Sequence, residues 1–197
     1  MDLKGRHIVI TGPTAGIGRA TALSLAKDGA QLTLLCRNRE KGQALAAEIT
    51  AAGHTEPDVI VMDMASLDSV RSAAAECLAL NQPIDILVNN AGVVNTTRRA
   101  TVDGFEETLA INHFAPFLLT GLLLPNILDN PGARIVNVAS DAHSFVKSMG
   151  FDDMQAETGY KPFQEYGRSK GANILFTRSL AKRLEARGIT VNCLHPG

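Results

Sequence analysis

Short runs of Val, Ile and Leu alternate with longer segments of helical pattern along the chain, and this alternation limits the possible folds more than any single motif does. The runs are His7-Ile8-Val9-Ile10, Leu32 to Cys36, Val59 to Met62, Ile84 to Val88, Arg134 to Val138 and Ile189 to Leu194. Each is apolar almost throughout rather than at every second position, as expected of a strand covered on both faces. Strand and helix succeeding one another in this way predict an α/β fold, a six-stranded parallel sheet wrapped by helices on both sides. At 197 residues and 45% hydrophobic content the chain can bury a full core, and it is read as one domain over 1–197.

The totals also exclude some functions. A formal net charge of −1 and the lack of a basic stripe speak against a nucleic-acid partner. Cys36, Cys77 and Cys193 lie far apart, without Cys-x-x-Cys or Cys/His spacing, so no metal site is expected and reduced, buried thiols are. That reading, with no signal-like apolar region after Met1, gives a cytoplasmic expectation. The longest apolar stretch, Phe114 to Leu124, has about half the length needed to span a bilayer and is followed by Pro125, so no membrane association is expected.

Between the first strand and a helix expected over Arg19 to Lys27 lies Thr11-Gly12-Pro13-Thr14-Ala15-Gly16-Ile17-Gly18. Glycines permit a tight turn and close approach of a ligand, and a helix N-terminus offers unpaired N–H groups to a pyrophosphate. The spacing is Gly-x-x-x-Gly-x-Gly rather than Gly-x-Gly-x-x-Gly. About 20 residues after the last glycine, where an acidic residue would take the ribose hydroxyl of NAD, stands Arg37. A guanidinium there suits the 2′-phosphate of NADP, with Arg39 as an accessory, and makes NAD(H) the lesser expectation.

Asp63 ends the third strand, either facing an adenine amino group or serving its own loop, with Ser66 as N-cap of a helix over Leu67 to Leu80. Asn89-Asn90-Ala91-Gly92 ends the fourth and either touches a ligand or shapes a turn. Asn112 is a lone amide in an apolar helical region interrupted near Asn112 and Pro116, and it needs partners. Ser140 closes the fifth strand at the edge where such sheets bind ligands. Tyr166 and Lys170, four apart at the start of a helical segment to about Arg187, share one face. A phenol titrates near ~10 and a useful acid/base near ~7, so the ammonium alone supplies only part of the shift.

Taken in order, Thr11-Gly12-x-x-x-Gly16-x-Gly18, Asn89-Asn90-Ala91-Gly92, Asn112, Ser140, Tyr166-x-x-x-Lys170 and His195-Pro196-Gly197 resemble the short-chain dehydrogenase/reductase family over essentially the whole chain. Asn137 to His143, Phe151 to Gln155 and Ala172 to Thr177 are similar to its retinol-dehydrogenase-like branch. The resemblance implies a doubly wound Rossmann fold of strand order 3-2-1-4-5-6, with the cofactor at the switch point between strands one and four. It implies an NADP(H)-dependent oxidoreductase acting on a small carbonyl or alcohol substrate, with Asn112, Ser140, Tyr166 and Lys170 as the catalytic set. In that set Ser140 binds the carbonyl oxygen, Tyr166 protonates it, Lys170 holds the ribose and Asn112 holds a water.

Cofactor contacts are implied for Gly12, Thr14, Gly16, Ile17, Gly18, Arg37, Asp63, Asn89, Ala91, Gly92, Tyr166, Lys170, Pro196 and Gly197. A homodimer through the helices around Asn112 and Tyr166 is a further expectation. Two other functions compete, an enoyl-type double-bond reductase and an NADP-binding sensor without turnover. The segment His143 to Glu165 is read as a surface excursion forming part of the substrate wall, and the family's lid and seventh strand are expected to be absent from this chain.

Overall fold

A computed structural model describes residues 3–197. Its strands are β1 (His7–Thr11), β2 (Gln31–Cys36), β3 (Asp58–Val61), β4 (Ile86–Asn89), β5 (Arg134–Val138) and β6 (Thr190–Leu194). All pairings are parallel, in the order β3-β2-β1-β4-β5-β6. The expected doubly wound topology is thus observed. Chain direction across the sheet reverses between β1 and β4, which opens a crevice at the carboxyl ends of those two strands.

The helices are α1 (Gly16–Lys27), α2 (Arg39–Ala51), α3 (Leu67–Ala79), α4 (Glu107–Leu109), α5 (Ala115–Leu128) and α6 (Pro162–Leu184). Successive side chains of a strand point to opposite faces, so β1 to β4 feed two cores at once, while β5 and β6 contribute to one. Ile8, Ile10, Leu32 and Leu34 join Ala22, Ala26, Leu45 and Ile49 of α1 and α2 on one face. Val9, Leu35, Leu87 and Ile135 join Val70, Ala74, Leu119, Leu123 and Leu184 of α3, α5 and α6 on the other. Buried chain on both faces is what the unbroken Val/Ile/Leu pattern requires.

Local chemistry sets most helix starts. The Asn38 side chain accepts from the Lys41 N–H at 2.8 Å and starts α2, while Ser66 accepts from the Ser69 N–H at 3.3 Å and starts α3 as expected. Two helix starts differ from the sequence reading. Helix α1 begins at Gly16, not Arg19, so the last two glycines of the turn lie inside it. Helix α6 begins at Pro162, where a missing N–H costs nothing, and Tyr166 sits one turn in. Helix α5 ends at Leu128, as read, and runs through Pro125 because Leu119, Leu123 and Ile127 are fully buried and hold its last turns against the sheet.

The predicted interruption near Asn112 is a π-helical turn over Ala110–Phe114 that joins α4 to α5 without a break in the helical path; Pro116 lies in the first turn of α5 and interrupts nothing. By length and apolar content the stretch Glu107–Leu128 could cross a bilayer, yet Leu119, Leu123 and Ile127 on its inner side belong to the core.

Candidate active site

An open cleft of about 680 Å³ runs over the carboxyl ends of the strands. Its floor is the turn after β1, where Gly12 takes φ +64° and a Cβ on Gly18 would collide with the Gly12 carbonyl oxygen and the Asn90 amide nitrogen. Asn90 sews this turn to the end of β4. Its Nδ2 donates to the carbonyls of Thr11 at 2.9 Å and Gly12 at 3.2 Å, and the Thr11 hydroxyl accepts from the N–H groups of Asn90 and Ala91, both at 3.0 Å. Thr14, Ala15, Ile17 and Gly18 bring the start of α1 into the cleft wall. Gly16 does not line it.

At the end of β2, Arg37, Asn38 and Lys41 line the same cleft. Arg39, the expected accessory cation, does not line it; Lys41, in the first turn of α2, does. Asp63 reaches the wall just after β3, and one of its oxygens accepts from the Ala65 N–H of its own loop at 2.9 Å. Cys36 lies beside Arg37 as a buried thiol whose pKa burial pushes up.

On the other side of the switch point, β5 delivers Ser140 and α6 delivers Tyr166 and Lys170 to the cleft. The Ser140 hydroxyl accepts from the Ala142 N–H at 3.2 Å and caps a 3-10 turn over Asp141–Phe145. Lys170 is 3% exposed, donates to the Val138 carbonyl at 2.8 Å and lies 5.5 Å from the centre of the Tyr166 ring. Burial brings the Lys170 ammonium down to about 8. Gly92 stands against both partners: a Cβ there would be 3.2 Å from Asn112 Oδ1 and 3.3 Å from Lys170 Nζ.

Beneath these residues runs a buried chain of hydrogen bonds. Asn89 donates to Thr120 and Asn137, and Asn137 donates to Thr177. Thr177 donates to the Asn173 carbonyl, Asn173 donates to the Asn112 carbonyl, and Asn112 donates to Ser169. The Ser169 hydroxyl ends the chain on the Tyr166 carbonyl at 2.7 Å.

Two expected site residues belong to this chain and not to the cleft. Asn89 is 5% exposed and its side chain is turned into the sheet layer, while its neighbour Asn90 lines the wall. Asn112 accepts from the Val93 N–H at 2.8 Å and donates to the Val93 carbonyl and the Ser169 hydroxyl, both at 2.9 Å. Its amide donors are engaged in joining the segment after β4 to α6. His195, Pro196 and Gly197 complete the cleft from β6, with His195 Nδ1 accepting from the Asp141 N–H at 3.2 Å.

The short chain dehydrogenase model matches residues 6–197, nearly the whole sequence. The chain belongs to the short chain dehydrogenase family. Within it the similarity is to retinol dehydrogenases: retinol dehydrogenase 12 of Mus musculus is 41% identical over 100% of this chain and 62% of its own length. This short chain dehydrogenase thus spans less than two thirds of the length of the retinol dehydrogenases it matches. Among solved structures, an uncharacterised protein of Mycobacterium paratuberculosis is 35% identical with a TM-score of 0.86, over 100% of this chain and 70% of that one. The Pseudomonas aeruginosa RhlG/NADP active-site complex is 30% identical with a TM-score of 0.80, over 100% and 73%.

Sequence reasoning about this short chain dehydrogenase missed Asn90, Lys41, Asn38 and His195 as wall residues. Lys41 was within reach, because a cation four positions after Arg37 at a helix start returns to the same side one turn later. Asn90 was quoted with its neighbours, but the alternation that turns Asn89 in and Asn90 out could be assigned only with the strand end fixed at Asn89.

Proposed function

We propose that this chain is the NADP(H)-binding and reacting part of an oxidoreductase that interconverts a carbonyl and an alcohol, with Tyr166 as proton donor and acceptor. One observation carries the reading: Ser140, Tyr166 and Lys170 share a cleft whose far side, across the switch point, presents Arg37 and Lys41. The cleft suits a dinucleotide, since the missing side chain at Gly18 lets the turn after β1 close flat beside the first turn of α1. A bound nicotinamide supplies or accepts the hydride. Arg37 and Lys41 would hold a 2′-phosphate; the RhlG relative is itself an NADP complex.

The side chains divide the remaining chemistry. Ser140 donates a hydrogen bond to the substrate oxygen, and Tyr166 gives that oxygen its proton in reduction and takes it back in oxidation. Lys170, with a pKa near 8, is mostly cationic at neutral pH and stabilises negative charge developing on the Tyr166 oxygen. Because relatives about 41% identical bear the name retinol dehydrogenase, lipophilic alcohols and aldehydes, retinol among them, are the first substrates to screen.

The test is NADPH oxidation and NADP reduction over a panel of aldehydes, ketones and alcohols, with calorimetric binding of NADPH and NADH and with Tyr166→Phe as control. The proposal expects NADPH-preferring turnover that Tyr166→Phe abolishes while cofactor binding persists. Saturation of a conjugated double bond in the product would convert the reading to an enoyl-type reductase. Tight NADPH binding without any turnover would convert it to a sensor.

A further inference from the structure

The chain leaves the sheet at Ser140, passes over α6 and returns to enter that helix at Pro162. Arg168, two residues after Tyr166 and absent from the cleft wall, grips this excursion from below. Its Nε donates to the Met149 carbonyl at 2.8 Å and its Nη2 to the carbonyls of Gly150 at 2.6 Å and Asp153 at 2.8 Å. Its Nη1 pairs with Glu165 at 2.7 Å, and the whole residue is 6% exposed. The other flank of the excursion is fastened as well, through Gln155 to the Glu106 N–H at 2.7 Å and through the Tyr160 hydroxyl to the Asn95 carbonyl at 3.1 Å.

A buried charge of this kind is a poor route to stability alone, since apolar packing of similar volume serves as well or better. A planar fork that gathers three carbonyls from one short segment does give a fixed geometry. We propose that Arg168 is a positioning residue: by holding 149–153 on α6 it fixes where Ser140, at the start of the excursion, stands relative to Tyr166. The proposal rests on the oxidoreductase reading above for its kinetic consequence, but not for its structural one.

The experiment compares the unaltered chain with Arg168→Gly and Arg168→Lys for kcat and KM with the carbonyl substrate, NADPH affinity and hydrogen exchange. In Arg168→Gly, kcat falls roughly 10- to 100-fold with NADPH affinity unchanged, as expected when a reacting pair is misplaced by a fraction of an ångström to an ångström. Guanidinium at sub-denaturing concentration restores part of the rate, and ammonium does not. Should the glycine variant fail to fold, Arg168→Lys keeps the charge beside Glu165 without the fork and shows the same fall in kcat. Unaltered kcat in either folded variant, or joint loss of kcat and NADPH affinity without rescue, overturns the proposal.

Absence of turnover in the unaltered chain would sink the oxidoreductase reading instead. In that case the clamp is judged by the amides of 140–142, which exchange faster in Arg168→Gly if it holds and at the same rate if it does not.

Discussion

A Cβ on Gly167 would run into the carbonyl oxygen of Ala142, and it would stand 2.6 Å from a Val146 methyl. The turn that begins at Ser140 therefore rests directly on α6, one residue past Tyr166. Gly167→Ala should push that turn outward, costing about 1–3 kcal/mol in stability as overpacking does. Turnover should fall roughly 10-fold or more with NADPH affinity unchanged. Chemical denaturation and steady-state kinetics on the purified variant check both; an alanine variant with full activity would mean that the Ser140 turn has slack.

Lys170 sets function against stability. Its pKa, brought from 10.5 to about 8, corresponds to a cost of about 3 kcal/mol for keeping the buried residue charged at neutral pH. That cost is fully present below pH 8, where both folded and unfolded chains hold the proton. It fades as pH rises from 8 to 10.5, because only the unfolded chain still binds the proton there. Lys170→Met should lower turnover by roughly 100-fold or more while leaving the melting temperature equal or higher. Calorimetry at pH 7 and pH 10 should show the variant's advantage shrinking at the higher pH.

Cofactor choice should follow the two cations at the end of β2. Arg37→Ala is expected to weaken NADPH by about 1.5–3 kcal/mol, the range for a hydrogen bond to a charged group, and to leave NADH almost untouched. Lys41→Ala should act in the same direction, and Arg39→Ala should not act, because Arg39 does not line the cleft. Parallel titrations with the two nucleotides decide this.

Acid should destabilise the fold through two histidines. His7 is 4% exposed; its Nδ1 donates to the Pro83 carbonyl at 3.2 Å and its Nε2 accepts from the Thr33 hydroxyl at 2.8 Å. His113 lies against Asn173 at 3.0 Å. Burial lowers both from 6.5, so below that value the unfolded chain takes up protons that the folded chain refuses. Urea midpoints should drop as pH is lowered from 7 to 5, and His7→Gln should flatten the drop if the residue carries its share.

The sheet was legible because burial on both faces of β1 to β4, as in Ile8-Val9-Ile10, leaves a compositional trace, and β5 and β6 keep an apolar run against one core. Strand ends fall within two residues of the reading, and Ser140, Tyr166 and Lys170 fall where the helical and strand periods put them. Legibility failed where tertiary contacts decide. Asn112 is legible as an amide in need of partners, but that these are Val93 and Ser169, from the segment after β4 and from α6, follows from no spacing in the chain. Arg168 left no trace at all, since its three carbonyl partners come from backbone that any sequence would supply.

Asn89 and Asn137 face one another in the pairing of β4 with β5, and the buried amides that start from them reach the turn of α6 bearing Tyr166. The sheet thus acts as the ruler for the reacting groups. Their placement is counted in strand register from beneath, so a one-residue slip between β4 and β5 would displace them even with the excursion over α6 still clamped.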